Sequence, residues 1–177
     1  MPISGHAELR LVYSSEEIAK AVGRVAAEID AAYAGAELLL VVVLKGSFLF
    51  AADLVRHLQR PVEIEFVQLA SYEGKDSSGT VVMRKELTTP VRGRNILIVE
   101  DIVDTGLSLQ FLLSALKQKE PASIKVCTLL DKRERRKVPV EADFVGIACS
   151  GGFLVGYGLD LDERYRQLPE IYELMTP

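Results

Sequence analysis

Residues Asn95–Leu109 read N-I-L-I-V-E-D-I-V-D-T-G-L-S-L. The run Asn95–Val99 lacks polar alternation, as in a strand buried on both faces of a parallel sheet. This strand is expected to end in Glu100-Asp101. A turn of acidic, small and glycine residues follows, and a helix is expected to open near Ser108. In open α/β sheets, ligands bind beyond the carboxyl ends of the strands. A helix N-terminus there offers free N–H groups and a positive dipole end, both suited to phosphate. Thr105 and Ser108 add hydroxyls, and Gly106 lets the backbone approach a ligand closely. Carboxylates repel phosphate, so Glu100, Asp101 and Asp104 need another task. They can accept hydrogen bonds from the vicinal hydroxyls of a ribose, or hold Mg²⁺ that neutralises a pyrophosphate. A sugar phosphate with a vicinal diol satisfies both halves of the segment. Capping of the helix by Asp104 or Thr105 is the structural alternative. It accounts for the last residues alone, not for the whole strand–acid–acid–turn–helix unit.

The same strand pattern recurs outward from this segment. Leu38–Leu44 (LLLVVVL) is wholly apolar, and Lys45-Gly46-Ser47 breaks it. Before it, Ser14 and Glu17 have capping-box spacing. Ile18, Val22, Val25, Ala26 and Ile29 then recur at helical intervals up to Gly35. Phe48–Gln59 reads as a second amphipathic helix, Val62–Ala70 as a strand and Thr80–Arg84 as a short strand. The polar stretch Glu73–Gly79 between these strands is expected to be a mobile loop. Leu107–Gln118 reads as a helix and Ile124–Leu130 as a strand, followed by the charged run Asp131–Lys137. Phe144–Ala148 and Phe153–Val155 are short apolar runs. Buried strands separated by helices predict an α/β fold: an open, mainly parallel sheet with helices on both faces.

Composition narrows the function. Of 177 residues, 49% are hydrophobic and 26% charged, with a net charge of −4. Such a chain is not generally disordered. Its charge balance weighs against bulk electrostatic binding of nucleic acid. Its longest apolar run is far below the ~20 residues of a spanning helix, and Met1-Pro2-Ile3-Ser4 lacks the pattern of a signal peptide. The expectation is one cytoplasmic domain over residues 1–177, without membrane contact. Cys127 and Cys149 lie in apolar stretches without metal-ligand spacing and are expected to be reduced. His6 and His57 are far apart and give little support to a histidine metal site or a Ser-His-Asp triad.

The segment Glu100-Asp101-Ile102-Val103-Asp104-Thr105-Gly106 resembles the phosphoribosyl-diphosphate motif of the type I phosphoribosyltransferases. Leu44-Lys45-Gly46-Ser47 resembles that family's pyrophosphate loop, and Ser71-Tyr72 the start of its flexible lid. Leu129–Arg133, Asp143–Gly146 and Phe153–Asp160 together resemble the hypoxanthine-guanine branch. The resemblance spans Leu44 to Arg166 in order. It implies a small hood beside the main sheet and a mobile lid loop. It also implies a reaction in which a 6-oxopurine displaces pyrophosphate from phosphoribosyl diphosphate to give a nucleoside monophosphate.

Roles carry over by position. Asp104 would manage the proton at N7 of the purine as N9 attacks the sugar. Asp104, Thr105, Gly106, Leu107 and Ser108 would cradle the 5′-phosphate. Glu100 and Asp101 would hold the ribose hydroxyls, directly or through Mg²⁺. Lys45, Gly46 and Arg166 would bind pyrophosphate, and the peptide before that lysine is often cis in the family. Phe153 would stack on the purine, Leu154 would meet its edge through the backbone, and Lys132 would donate to O6. Asp160, beside the base, would hold a second Mg²⁺. The lid would exclude water from the reacting sugar. Leu107 departs from relatives that carry Lys there, which a backbone-cradled phosphate tolerates. The resemblance further implies a homo-oligomer, a dimer or tetramer.

Alternatives remain within the fold. One is a pyrimidine-operon regulator that binds RNA and has uracil phosphoribosyltransferase activity; Asp104 and the Phe153–Asp160 tail speak against it. Another is a phosphoribosyltransferase for another base such as xanthine. A sensor of purine-repressor type needs a DNA-binding module. The 37 residues before Leu38, with one amphipathic helix, are too few for one.

Overall fold

The computed structural model describes residues 8–72 and 80–175. Its elements are β1 (Glu8–Tyr13), α1 (Ser15–Ala32), β2 (Leu39–Leu44), α2 (Phe48–His57), β3 (Glu63–Tyr72), β4 (Thr80–Lys85), β5 (Asn95–Val103), α3 (Leu107–Lys117), β6 (Ser123–Asp131), β7 (Phe144–Ala148), β8 (Leu154–Val155) and β9 (Ile171–Met175). A short 3₁₀ turn, Arg133–Arg135, follows β6. Six strands form one sheet in the order β4-β3-β2-β5-β6-β7. All neighbours are parallel except the β3–β4 pair.

The apolar runs form the centre of this sheet because helices cover both of its faces. Leu40, Val42, Leu97, Val99, Cys127 and Leu129 pack with α1 and α2. Their sequence neighbours Leu39, Val41, Ile96, Ile98 and Val126 pack with α3 on the opposite face. Neither parity can be polar, which is why these strands show no alternation. Helix α1 begins as expected. The Ser14 hydroxyl accepts from the Glu17 N–H at 3.3 Å, and Ser14 N–H donates to the Glu17 carboxylate at 2.9 Å. Ile18, Val22, Val25, Ala26 and Ile29 are buried.

From β2 the chain winds outward to β3 and β4; from β5 it winds the other way to β6 and β7. The order therefore reverses between β2 and β5, and such a reversal opens a crevice at the carboxyl ends of the two strands. The loops after Leu44 and Val103 both lie there. A second, three-stranded antiparallel sheet, β1-β9-β8, stands apart from the first. It joins residues 8–13 to residues 171–175, including an Arg10–Glu173 ion pair. The hood implied by the resemblance corresponds to this sheet. The polar stretch 73–79, read as a mobile lid, lies outside the described residues. Ser71 and Tyr72 form the end of β3, paired with Val81 and Thr80 of β4, whereas the sequence reading opened the loop at them.

Glu65 in β3 anchors the chain beyond β4. Its carboxylate accepts from the Thr88 hydroxyl at 2.7 Å, the Thr89 hydroxyl at 3.1 Å and both of their N–H groups at 3.2 Å. The Thr88 hydroxyl foremost, then the Phe66 N–H, Lys85 and the Thr88 N–H, hold its carboxyl well below the ordinary range against the opposing effect of burial. A depressed carboxyl stabilises the fold above its unfolded pKa of about 4.3, and the contribution fades as pH falls below that value. Glu65→Ala should therefore cost about 2 kcal/mol in urea denaturation at pH 7. The gap between variant and parent should narrow steadily from pH 5 to pH 3. A gap independent of pH would mean that charge is not what anchors the segment.

Candidate active site

The reading that ends the strand at Glu100-Asp101 needs correction. β5 continues to Val103, pairing Ile102 with Leu130 and Val103 with Asp131, because Ile102 and Val103 still pack into the apolar clusters. Successive strand residues point to opposite faces, so Glu100 and Asp101 enter different spaces. Asp101 lines a cavity of about 590 Å³ with Ile102, Asp104, Lys132, Phe153 and Asp160. Glu100 lines a cavity of about 120 Å³ with Asp104, Thr105, Gly106 and Ser108. Asp104 and Ile102 border both cavities.

The smaller cavity sits at the start of α3. Gly106 precedes that helix with φ +83, and a Cβ there would lie 2.5 Å from Val140. Neither Asp104 nor Thr105 is the N-cap; Gly106 is, and no side chain caps the helix through it. Thr105 keeps part of a capping role, its Oγ1 accepting from the Leu107 N–H at 3.5 Å, while Asp104, Thr105, Gly106 and Ser108 line the cavity. Leu107 is exposed and Ser108 half-buried.

Charges around the two cavities are close and partly desolvated. Burial, reinforced by Asp101, pushes the Glu100 carboxyl well above its ordinary range. Burial also pushes Asp101 up to about 6; the Ile102 N–H and Arg166 oppose this, and Asp160 adds to it. Lys132 is only 4% exposed, and its ammonium donates to the Gly152 carbonyl at 2.6 Å. That ammonium is 3.9 Å from Asp104, whose other oxygen is 2.8 Å from the Arg135 guanidinium. Lys132 is therefore not a solvated charge. Phe153 is 51% exposed, so it is not core. Its carbonyl accepts from Leu174 N–H of β9 at 2.8 Å, and Leu154 pairs with Glu173. The hood thus holds this wall of the cavity.

At the end of β2 the Leu44–Lys45 peptide is cis. A Cβ on Gly46 would fall 1.6 Å from Asp101, and one on Gly158 would fall 2.0 Å from the Gly46 carbonyl. Arg166 donates to the Gly158 carbonyl at 2.7 Å and pairs with Asp160 at 2.9 Å. Lys45, Gly46, Asp101, Asp160 and Arg166 thus form one connected group. Asp160 also accepts from the Glu163 N–H at 2.9 Å, so it holds a turn as well as a cation.

The charged run after β6 contains residues that sequence reading missed. Asp131 is 2% exposed and pairs with Arg136. The Arg136 guanidinium also donates to the carbonyls of Val103 at 2.6 Å and Asp104 at 2.7 Å. Lys137 N–H donates to the Thr105 carbonyl at 2.9 Å. This segment therefore clamps the loop 103–105 from behind. Asp131 ends a buried strand at the same edge as Glu100, a usable signal; nothing distinguishes Arg136 from its charged neighbours in sequence.

The chain matches the model of the phosphoribosyl transferase domain over residues 11–162. It is 46% identical to a hypoxanthine-guanine phosphoribosyltransferase of Aquifex aeolicus, over 93% of this chain and 94% of that protein. It is 45% identical to the Bacillus subtilis protein of the same name, over 92% and 91%. A crystal structure of a hypoxanthine-guanine phosphoribosyltransferase from Bacillus anthracis superposes with a TM-score of 0.91 at 40% identity, covering 95% of this chain and 100% of that one. A ternary substrates complex of the Trypanosoma cruzi hypoxanthine enzyme superposes with a TM-score of 0.89 at 43% identity, covering 96% of each chain.

Removing one partner of a buried ion pair costs about 3–5 kcal/mol when the charge left behind is uncompensated; Asp131 would keep Arg133 at 3.4 Å, so the lower end applies. Arg136→Ala should lose stability of that order in urea denaturation, and removing Asp131 as well should recover part of it. A loss below about 1 kcal/mol, the range of an exposed pair, would show that this clamp does not fix the loop.

Proposed function

The chain belongs to the phosphoribosyl transferase family, in its hypoxanthine-guanine branch, and we propose that its two joined cavities carry out the reaction of that branch. The enzyme serves purine salvage, moving the 5-phosphoribosyl group from phosphoribosyl diphosphate to hypoxanthine or guanine. The products are the nucleoside monophosphate and pyrophosphate. The observation that carries the assignment of sites is the position of Asp104 on the border of both cavities. A group that touches the base while its loop holds the phosphate belongs where the bond is made.

The smaller cavity takes the 5′-phosphate. Its size suits one phosphate, and Thr105, Gly106, Leu107 and Ser108 present hydroxyls and the start of α3, where a helix favours an anion. The larger cavity takes the base. Phe153 offers a ring face, the Leu154 backbone meets the purine edge, and Lys132 donates to O6. An adenine amino group at the position of O6 would meet another donor. Lys45, Gly46 and Arg166 take the pyrophosphate.

In the reaction, the N9 lone pair forms the bond to C1′ as the C1′–oxygen bond breaks. Those electrons leave on pyrophosphate, and the proton at N7 passes to Asp104. Asp104 sits between Lys132 and Arg135, which orient its carboxylate. Its buried Oδ1 has no hydrogen-bond partner of its own among the described residues, which leaves it open to the base. Preorganisation of this kind lowers the barrier by orienting the reactants. Ser71 and Tyr72, at the root of the lid, are assigned to exclusion of water.

Glu100, Asp101 and Asp160 suit Mg²⁺ by donor type; Asp101 and Asp160 share the larger cavity and Glu100 the smaller, so among the described residues the three do not converge as one cluster. They are hard oxygen donors, and the first two are desolvated carboxyls in need of a counter-charge. Mg²⁺ usually keeps its waters and takes one or two carboxylates plus substrate phosphates, rather than a full protein cage. When bound it would supply charge neutralisation on the pyrophosphate; Glu100 and Asp101 would also orient the ribose hydroxyls.

Residues 1–177 act as one catalytic domain. Both cysteines are free thiols, which supports a reducing, cytoplasmic setting. Among the described residues no helix is long and apolar enough to cross a membrane. An apolar groove lined by Ile18, Val22, Leu49, Tyr157 and Leu168 supports assembly as a homo-oligomer. No nucleic-acid partner is invoked.

Incubation with Mg²⁺, phosphoribosyl diphosphate and each of hypoxanthine, guanine, xanthine, adenine and uracil tests the assignment. Nucleotide should form with hypoxanthine or guanine and not with adenine or uracil; failure with both oxopurines overturns it. Asp104→Asn should cut kcat by roughly 10²–10⁴, the range for a positioned acid–base group, with little change in phosphoribosyl diphosphate affinity. Equal losses in both would make Asp104 a binding residue only.

A further inference from the structure

The two cations assigned to pyrophosphate already share an anion supplied by the chain. Lys45 Nζ is 3.0 Å from Glu163 Oε1, and Arg166 Nη2 is 3.1 Å from Glu163 Oε2. One carboxylate thus spans both cations, an oxygen to each, as a diphosphate would. Its backbone is shaped for this. Asp162 and Glu163 both lie in the left-handed region, with φ of 51 and 63, which non-glycine residues adopt only against a steric cost. The Glu163 N–H is fixed on Asp160 at 2.9 Å. The side chain itself is 62% exposed, so packing does not place it. What holds it is the pair of cations.

We propose that Glu163 is a placeholder anion at the pyrophosphate subsite. It occupies Lys45 and Arg166 while the subsite is empty, must leave them for a diphosphate to bind, and recaptures them as pyrophosphate departs. The inference rests on the assignment of Lys45 and Arg166 to pyrophosphate. Its physical basis is competition: two anions cannot bridge the same two cations, so the resident carboxylate lowers the affinity of the arriving one. The device keeps a strongly charged product from being held too tightly. It also keeps the cations paired, and so ordered, between turnovers.

The test is titration calorimetry of pyrophosphate with Mg²⁺ on the full chain and on three variants. Glu163→Gln keeps the shape and removes the charge. Each exposed ion pair is worth at most about 1 kcal/mol, so pyrophosphate should bind about three- to tenfold more tightly. Its inhibition constant as a product should fall by the same factor. The gain should shrink as salt rises and screens the pairs. Glu163→Asp, which keeps the charge, should stay near the parent. Binding of the nucleoside monophosphate, which does not use these cations, should not change in Glu163→Gln. Lys45→Ala distinguishes the subsite from the placeholder. If Lys45→Ala weakens pyrophosphate while Glu163→Gln leaves it unchanged or weaker, the placeholder is overturned and the subsite stands. If Lys45→Ala has no effect, the subsite assignment itself falls, and the placeholder with it.

Discussion

A side chain at position 46 would set its first carbon 1.6 Å from a carboxyl oxygen of Asp101. The bare Gly46 backbone is what lets the ends of β2 and β5 lie side by side with nothing between them. Gly158 also comes close, with a would-be Cβ 2.0 Å from the Gly46 carbonyl. Three distant parts of the chain converge on one residue without a side chain. Lys45, Asp101 and the Gly158–Arg166 segment are brought within reach of one ligand by this contact. A larger residue at 46 or 158 would push apart the groups that the proposed chemistry needs together.

The electrostatics follow from the same crowding. Adjacent carboxylates at the edge of a sheet are costly unless a ligand or metal answers them, and Glu100 and Asp101 are both displaced toward their neutral forms by burial. Elsewhere the molecule balances its charges internally. Asp131 has Arg136, Asp104 has Lys132 and Arg135, and Lys45 and Arg166 have Glu163. The contrast is informative. Internally balanced charges hold loops in place, and the imbalanced pair marks where substrate and cation are expected. On the proposed reading, stability is traded for function at Glu100 and Asp101, and not at the clamp behind them.

Much of this was legible in the sequence, for a definite reason. Strands buried on both faces must be apolar at every position, so β2, β5 and β6 stand out without knowledge of the fold. The segment from Glu100 to Ser108 carried the site because acids, hydroxyls and a glycine at a strand–helix junction have few other uses. The end of β5 was misplaced because acids usually mark an exit from the core, whereas here Ile102 and Val103 re-enter it. The hood strands β1 and β9 were missed because each is five or six residues long and half-exposed. Their partners lie at the other end of the chain, and no local pattern announces such a pairing. Arg136 and Glu163 were missed for a related reason. A charged residue in a charged run shows its role only through the contacts it makes.

The two ends of the site also differ in the length of chain that must be closed to build them. The phosphate end is clamped by Arg136 on Val103 and Asp104, residues 33 and 32 positions away. The base end hangs from the hood, where Arg10 meets Glu173 across 163 positions. Closing the longer loop costs about 1.4 kcal/mol more in chain entropy, since that cost grows with the logarithm of loop length. The proposed cradle for the sugar phosphate is therefore the more local construction, and the proposed wall for the base depends on the longer closure. Loss of β9 would take away the support of the proposed base wall while leaving the Arg136 clamp behind the proposed phosphate cradle in place.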